Sequence, residues 1–186
     1  MNLLAFFTTP CELRESLKQQ RARLYRIAYS WCHDAALAED LTQDTLTRAL
    51  KHADQLRETD RFDPWLFTIL ANRWRDHLRS QRPHEDIEDL LDILPDDRDS
   101  PERADERGEI VDLVRAAVAR LTLGQREVLT LVDLEECSYA EVSAILAIPI
   151  GTVMSRLCRA RHQLREDLIS LHEPRRTARD TLRRVK

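Results

Sequence analysis

The sequence predicts an all-α protein of two small helical domains joined by an acidic linker. Three observations carry this. Only 3 of 186 residues are glycine and 5% are aromatic, whereas sandwiches and barrels lean on Gly-rich turns and aromatic strands. Apolar residues recur at i, i+3, i+4 and i+7 along most of the chain, which is the helical period. One segment, residues 83–108, concentrates three of the seven prolines and a net charge of −8. A hydrophobic fraction of 42% is enough for a core, and the charged fraction of 33% exceeds the roughly 25% of an average domain.

The N-terminal stretch MNLLAFFTTP has no basic residue before its apolar run and no clear cleavage site. It is a poor signal peptide and reads as a short buried or partner-binding segment, residues 1–16. No window reaches the ~18 consecutive apolar residues of a membrane span, so the expectation is a cytoplasmic protein without membrane insertion.

The elements follow in order. Leu24, Ile27, Ala28 and Trp31 set one face of a first helix over about 16–32. Ala36 to Ala53 gives a second, with Leu41, Thr45, Ala49 and Leu50 along one side. Asp63-Pro64 reads as an N-cap followed by a first-turn proline. The third helix then runs through Trp65, Leu66, Ile69, Leu70 and Leu78 to about Arg82, where Pro83 stops it. These helices form a domain over 17–82 with net charge +3. The prolines at 83, 95 and 101 forbid one long helix in the linker.

Beyond it, helices are expected at Glu109–Leu121, Leu123–Glu135 (entered through Thr122 and Gly124), Ser138–Leu146 and Ile150–Leu171. This second domain, 109–172, has net charge −2, and the tail 173–186 has +4. The tail stays open between added DNA affinity, a regulator contact and disorder.

The sharpest motif is SYAEVSAILAIPIGTVMSRLCRARHQLRE, residues 138–166. Ser138 and Glu141 form a capping box, Pro149 breaks the run into two helices, and Gly151-Thr152 opens the second. Val153, Leu157, Ala160 and Leu164 share the core face. Met154, Ser155, Cys158 and Arg159 are left outward. That is a helix-turn-helix whose second helix can enter a major groove, with Arg156, Arg159, Arg161 and Arg165 available for phosphates. Met154 and Cys158 suit thymine methyls, Arg159 a guanine edge, and Ser155 a base or a phosphate. Glu141, Asp133, Glu135 and Glu136 do not belong on the groove side.

The residues offer no catalytic or metal site. Cys11, Cys32, Cys137 and Cys158 make no C-x-x-C pair and read as free thiols. The six histidines make no H-x-x-x-H, and there is no Gly-rich phosphate loop. The sequence therefore predicts no enzyme, no cofactor and no metal. A stand-alone helix-turn-helix regulator would explain 138–166 but leaves 38–80 without a task. A DNA-mimicking adaptor would explain the acidic linker but not the basic helix.

Three blocks, AEDLTQDTLTRALKH (38–52), RFDPWLFTILANRWRDHLRS (61–80) and GTVMSRLCRARHQLR (151–165), together resemble bacterial sigma factors of the extracytoplasmic-function group, in the sigma-70 family. The resemblance covers about residues 17–172. It implies that the first domain is sigma region 2, a bundle of three to four helices, and the second is the helix-turn-helix of sigma region 4. It implies a transcription initiation factor that brings core RNA polymerase to promoters and helps melt the −10 region, usually under an anti-sigma factor. The implied partners are the polymerase β′ coiled coil and β flap, promoter DNA and that anti-sigma factor.

Carried over by position, the resemblance implies that Asp40, Leu41, Gln43, Asp44 and Thr47 bind polymerase. Arg57, Arg61, Phe62, Asn72, Arg73, Arg75 and Arg79 would serve the −10 strand, with Arg82 adding a phosphate contact and Trp74 left between DNA and the domain base. Thr152, Met154, Ser155, Arg156, Cys158, Arg159 and Arg161 would serve the −35 element. The chain departs from the family pattern at Met154, where many members carry a basic residue, and at Cys158, where many carry an aromatic or basic one. The −35 sequence is therefore open.

Overall fold

The computed structural model describes residues 10–53, 62–81 and 106–183, with side chains over 13–53, 62–81 and 113–170. Helix α1 spans Pro10–Cys32, α2 Ala35–Lys51 and α3 Phe62–Gln81. After the linker, α4 spans Glu106–Ala119, α5 Leu123–Leu129, α6 Tyr139–Leu146 and α7 Ile150–Arg183. A π-helical segment, Thr130–Leu134, continues α5.

Helix α1 begins earlier than its periodicity suggests, because proline is tolerated in a first turn. It buries Leu13, Leu17, Leu24, Ile27, Ala28 and Trp31. It ends as His33 turns to a positive φ of 52° and donates its N–H to the Tyr29 carbonyl. Asp34 then caps α2 by accepting from the Ala36 and Leu37 amides at 2.8 and 3.0 Å.

Ala38, Leu41, Thr42, Thr45 and Ala49 face the core from α2. Leu50, expected beside them, is 44% exposed. Leu46, at i+4 from Thr42, packs partly on the core instead. Helix α3 begins at Phe62, so Asp63 lies inside its first turn and is not the N-cap. Its carboxylate accepts from Gln20 and pairs with Arg23 on α1. Leu66, Phe67, Leu70 and Ala71 complete the N-terminal core, with Trp65 and Ile69 half-buried against it.

In the C-terminal half, Thr122 caps α5 through a capping box with Gln125. The single helix expected over 123–135 changes to π geometry at Thr130 and ends at Glu135; Glu136 follows at a positive φ of 56°. Leu121, Val128, Leu131, Val142, Ile145, Leu146, Val153, Leu157 and Ala160 make the local core. The backbone of α7 continues past Leu171 to Arg183, through most of the basic tail. The linker as a whole lies outside the described residues, apart from the start of α4.

The two cores are not separate. They form one contiguous cluster, because α3 packs on α6, and α1 packs on α5 and the π segment. Polar contacts cross the junction. Ser30 and Thr130 share a hydrogen bond of 3.0 Å, Arg23 pairs with Glu135, and Arg75 donates to the Leu146 carbonyl.

Candidate nucleic-acid interface

The helix-turn-helix forms as its residues require. Ser138 accepts from the Glu141 amide, while Glu141 accepts from the Ser138 amide at 2.7 Å. The Ser138 hydroxyl, which donates to that carboxylate at 2.7 Å, and then the Ser138 amide hold the Glu141 carboxyl below the usual carboxylate range. Ala147 ends α6 in the left-handed region at φ 49°, ψ 42°, and Pro149 accepts from the Thr152 and Val153 amides. The chain bends by 105° between α6 and α7, within the range of helix-turn-helix pairs.

The outer face of α7 carries Met154 (54% exposed), with Ser155, Cys158 and Arg159 also exposed and Thr152 half-buried. Ser155 donates to the Thr152 carbonyl, and Arg159 reaches back to the Ser155 carbonyl at 3.3 Å. Of the arginines assigned to this face by sequence, one is buried and one stays exposed but is paired within the fold. Arg156 is buried at 5% exposure. It stands at i+3 from Val153 and i−4 from Ala160, so the period that set the core face already included it. Arg161 makes a two-point pair with Asp133, at 3.1 and 2.5 Å.

On α2, Asp40, Gln43, Asp44 and Thr47 are exposed together. Leu41 is 4% exposed and belongs to the core, because it lies one turn from Ala38 and Thr45 on the inner face. Glu39 pairs with Arg21 at 2.5 Å and accepts from Gln43 at 2.9 Å. Asp44 pairs with Arg73 at 3.0 Å.

On α3, Asn72 and Arg79 are exposed, and Phe62 is half-buried 6.4 Å from Trp65. Arg73 also holds Asp76 at 2.8 Å, with Arg79 at 3.8 Å from the same carboxylate. Arg75 is turned toward the C-terminal half by its bond to Leu146. Trp74 is buried, stacked on His77. Arg57, Arg61 and Arg82 lie outside the described residues.

An exposed helix face beyond a bend of this size directs attention to proteins built the same way. The sigma-70 region 2 family matches residues 17–84, and the sigma-70 region 4 family matches 112–164. The RNA polymerase sigma-H factor of Pseudomonas aeruginosa is 33% identical over 157 residues, covering 80% of this chain and 81% of that protein. The ECF RNA polymerase sigma factor EcfG of Rhodopseudomonas palustris is 34% identical over 156 residues, covering 82% of each. The chain belongs to the extracytoplasmic-function sigma factors of the sigma-70 family.

Against the ECF RNA polymerase sigma factor SigE of Mycolicibacterium smegmatis, identity is 33% over 156 residues, and the chain spans 60% of that relative's length. Among solved structures, RpoE of Bartonella quintana in complex with the anti-sigma factor NepR matches at a TM-score of 0.68 and 29% identity. That match covers 83% of this chain and 94% of the other. CnrH in complex with the cytosolic domain of CnrY shares the fold at a TM-score of 0.62 and 24% identity, covering 87% and 90%. The family is one of transcription initiation factors. No single helix among the described residues is long and apolar enough to cross a membrane.

The sequence reading missed a buried charge cluster where the two regions of this sigma factor meet. Glu127 and Arg126 are 1% and 0% exposed. Glu127 has no hydrogen bond of ordinary geometry, yet the Trp74 indole and the guanidinium groups of Arg75, Arg156 and Arg126 surround it. Burial pushes its carboxyl up to about 7, against the pull of those cations.

Gly124 makes room for this arrangement. A Cβ there would stand 2.8 Å from Cζ of Arg156. A charged pair such as Arg126-Glu127 reads as surface when residues are buried by type. No local pattern marks the pair as buried, since Gln125 beside it is polar. Burial also raises the thiols of Cys32 and Cys137 to about 11, whereas Cys158 is exposed on the outer face of α7.

Proposed function

We propose that this sigma factor docks the outer face of α7 on the −35 element. Met154, Ser155, Cys158 and Arg159 meet base edges there, with Thr152 at the helix start beside the backbone. The observation that carries this reading is the exposed face of α7 beyond the 105° bend, which holds no acidic residue between Ile150 and Arg165. A helix whose inner face is anchored by Val153, Leu157 and Ala160 can present that outer face to a groove without losing its core.

The α2 face of Asp40, Gln43, Asp44 and Thr47 grips the β′ coiled coil of core RNA polymerase, while the helix-turn-helix region meets the β flap. Helix α3, with Phe62 at its start and Asn72 midway along it, receives the melted −10 strand: a flipped base needs a stacking surface and a hydrogen-bonding edge. Arg73 and Arg79 supply phosphate contacts once their carboxylate partners release them. The polymerase performs the chemistry.

An anti-sigma factor holds the protein inactive. RpoE of Bartonella quintana, whose structure with its anti-sigma factor shares this fold at a TM-score of 0.68, supports that expectation.

Run-off transcription with core polymerase on a genomic promoter library tests the reading. Transcripts that share a −10 and a −35 sequence are the expected result. Output equal to that of core polymerase alone would refute it.

A further inference from the structure

Gly151, Met154 and Cys158 of α7 lie within a sector of about 60°, since successive helical residues turn by about 100°. All three are exposed. Met154 is 54% exposed, and Cys158 stands one turn beyond it as a free thiol. Side chains at i and i+4 are neighbours on a helix surface, so the thioether and the thiol make one soft, weakly polar strip. The polar side chains beside it are tied to the helix itself. Ser155 donates its hydroxyl proton to the Thr152 carbonyl at 3.1 Å, and Arg159 donates through Nε to the Ser155 carbonyl at 3.3 Å.

Gly151 has no role inside the fold that asks for glycine. Its φ is not positive, and a Cβ built on it would meet nothing within 4 Å. Glycine in a helix is less stable than alanine. Where neither backbone nor packing requires it, the remaining use of a missing side chain is the close approach of a surface from outside.

The charge of this stretch says what that surface is. No acidic residue stands between Ile150 and Arg165, and Arg159 and Arg165 are exposed, which suits the phosphates of a duplex. In the major groove the C5 methyl of thymine is the apolar group that the base edges present. Methionine has no donor and cysteine only a weak one, so neither can read a guanine edge as an arginine does.

We propose that Gly151, Met154 and Cys158 set the base preference of this sigma factor at the −35 element by packing on thymine methyl groups. Gly151 lets the duplex close on the start of α7, and Met154 with Cys158 covers methyls of neighbouring base pairs. The inference rests on the docking of α7 proposed above and names what that docking selects.

The test uses the full chain with saturating core polymerase and a promoter library randomised over the −35 element. Pairs of A with T should be enriched at neighbouring positions. The selected promoter is then remade with deoxyuridine in place of each −35 thymidine in turn, which removes only the methyl group. Occupancy should fall about fourfold for each methyl that the strip covers, the loss expected for one buried carbon. The double variant Met154→Ala with Cys158→Ser, altered only at exposed positions, should bind the thymidine and deoxyuridine promoters alike. Gly151→Ala should keep or raise Tm while its occupancy of the selected promoter falls severalfold.

A selected element without A–T pairs, or one blind to deoxyuridine at every position, would overturn the inference and leave the docking of α7 standing. So would a double variant that keeps the full penalty for deoxyuridine, or a Gly151→Ala chain that occupies the promoter as well as the unaltered one. An absence of base preference anywhere in the randomised element would refute the docking itself, and the inference with it.

Discussion

Replacing Glu127 by Gln should flatten the dependence of stability on pH. The folded carboxyl sits at about 7 against 4.5 for an ordinary glutamate, mainly because it is buried. Below pH 4.5 the group is protonated in both folded and unfolded chains and has no effect. Between the two values the unfolded chain ionises first, so stability falls as pH rises. Above pH 7 both forms are ionised and the loss is complete.

At about 1.4 kcal/mol per unit, the loss approaches about 3 kcal/mol, of which about 2.5 falls between pH 5 and pH 7.5. In a chain of this size that is a difference of roughly 5–10 °C in Tm. The assay is thermal or urea unfolding of the full chain and the Glu127→Gln variant at both pH values. The variant should lose about 2.5 kcal/mol less than the unaltered chain over that interval. Two parallel profiles would refute the argument, because the carboxyl would then be solvated or already ionised in the fold.

Three further outcomes are expected. Arg159→Ala should lower transcription from −35-dependent promoters by the equivalent of about 1–3 kcal/mol, the range of one base-reading arginine, while polymerase affinity measured by anisotropy stays the same; unchanged output would remove Arg159 from the reading face. Asp40→Ala with Asp44→Ala should weaken core polymerase binding severalfold in a titration, and equal affinity would reject that surface. Ala147→Gly should raise Tm by roughly 1–4 °C. The left-handed backbone at φ 49° costs a non-glycine residue about 1–2 kcal/mol, and part of that relief is offset by the freer unfolded chain; a lower Tm would show that the Ala147 methyl packs usefully.

The helices were legible where one face is apolar and the turn chemistry is local. Ser138-x-x-Glu141, Pro149 and the Val153–Leu157–Ala160 stripe read directly, because each effect acts within a turn of its own residue. The boundary at Asp63 was misread, because Asp63 spends its carboxylate on Gln20 and Arg23 of α1 rather than on its own amides. The π segment at Thr130 escaped notice for a similar reason. Its hydroxyl bonds both the Arg126 carbonyl and Ser30 of α1, so the local geometry answers to a distant element. Sequence periodicity holds no record of such partners.

The arginines show why the site was harder to read than the fold. Four of them between Pro149 and Arg165 look alike in composition, and a count assigns them all to phosphates. Position relative to the core divides them. Arg156 falls on the inner face and joins the cluster around Glu127, Arg161 is held by Asp133, and Arg159 and Arg165 stay exposed. The same division applies on α3, where Arg73 joins two carboxylates and Arg75 crosses to α6.

A basic helix therefore carries less outward charge than its sequence suggests: Arg156 and Arg161 serve their own region, and Arg75 joins the two. If those inward arginines stabilised only their own region, Arg75 would have no reason to end on a carbonyl of the other. Its partner identifies the packing between regions as the structure that the buried charge serves.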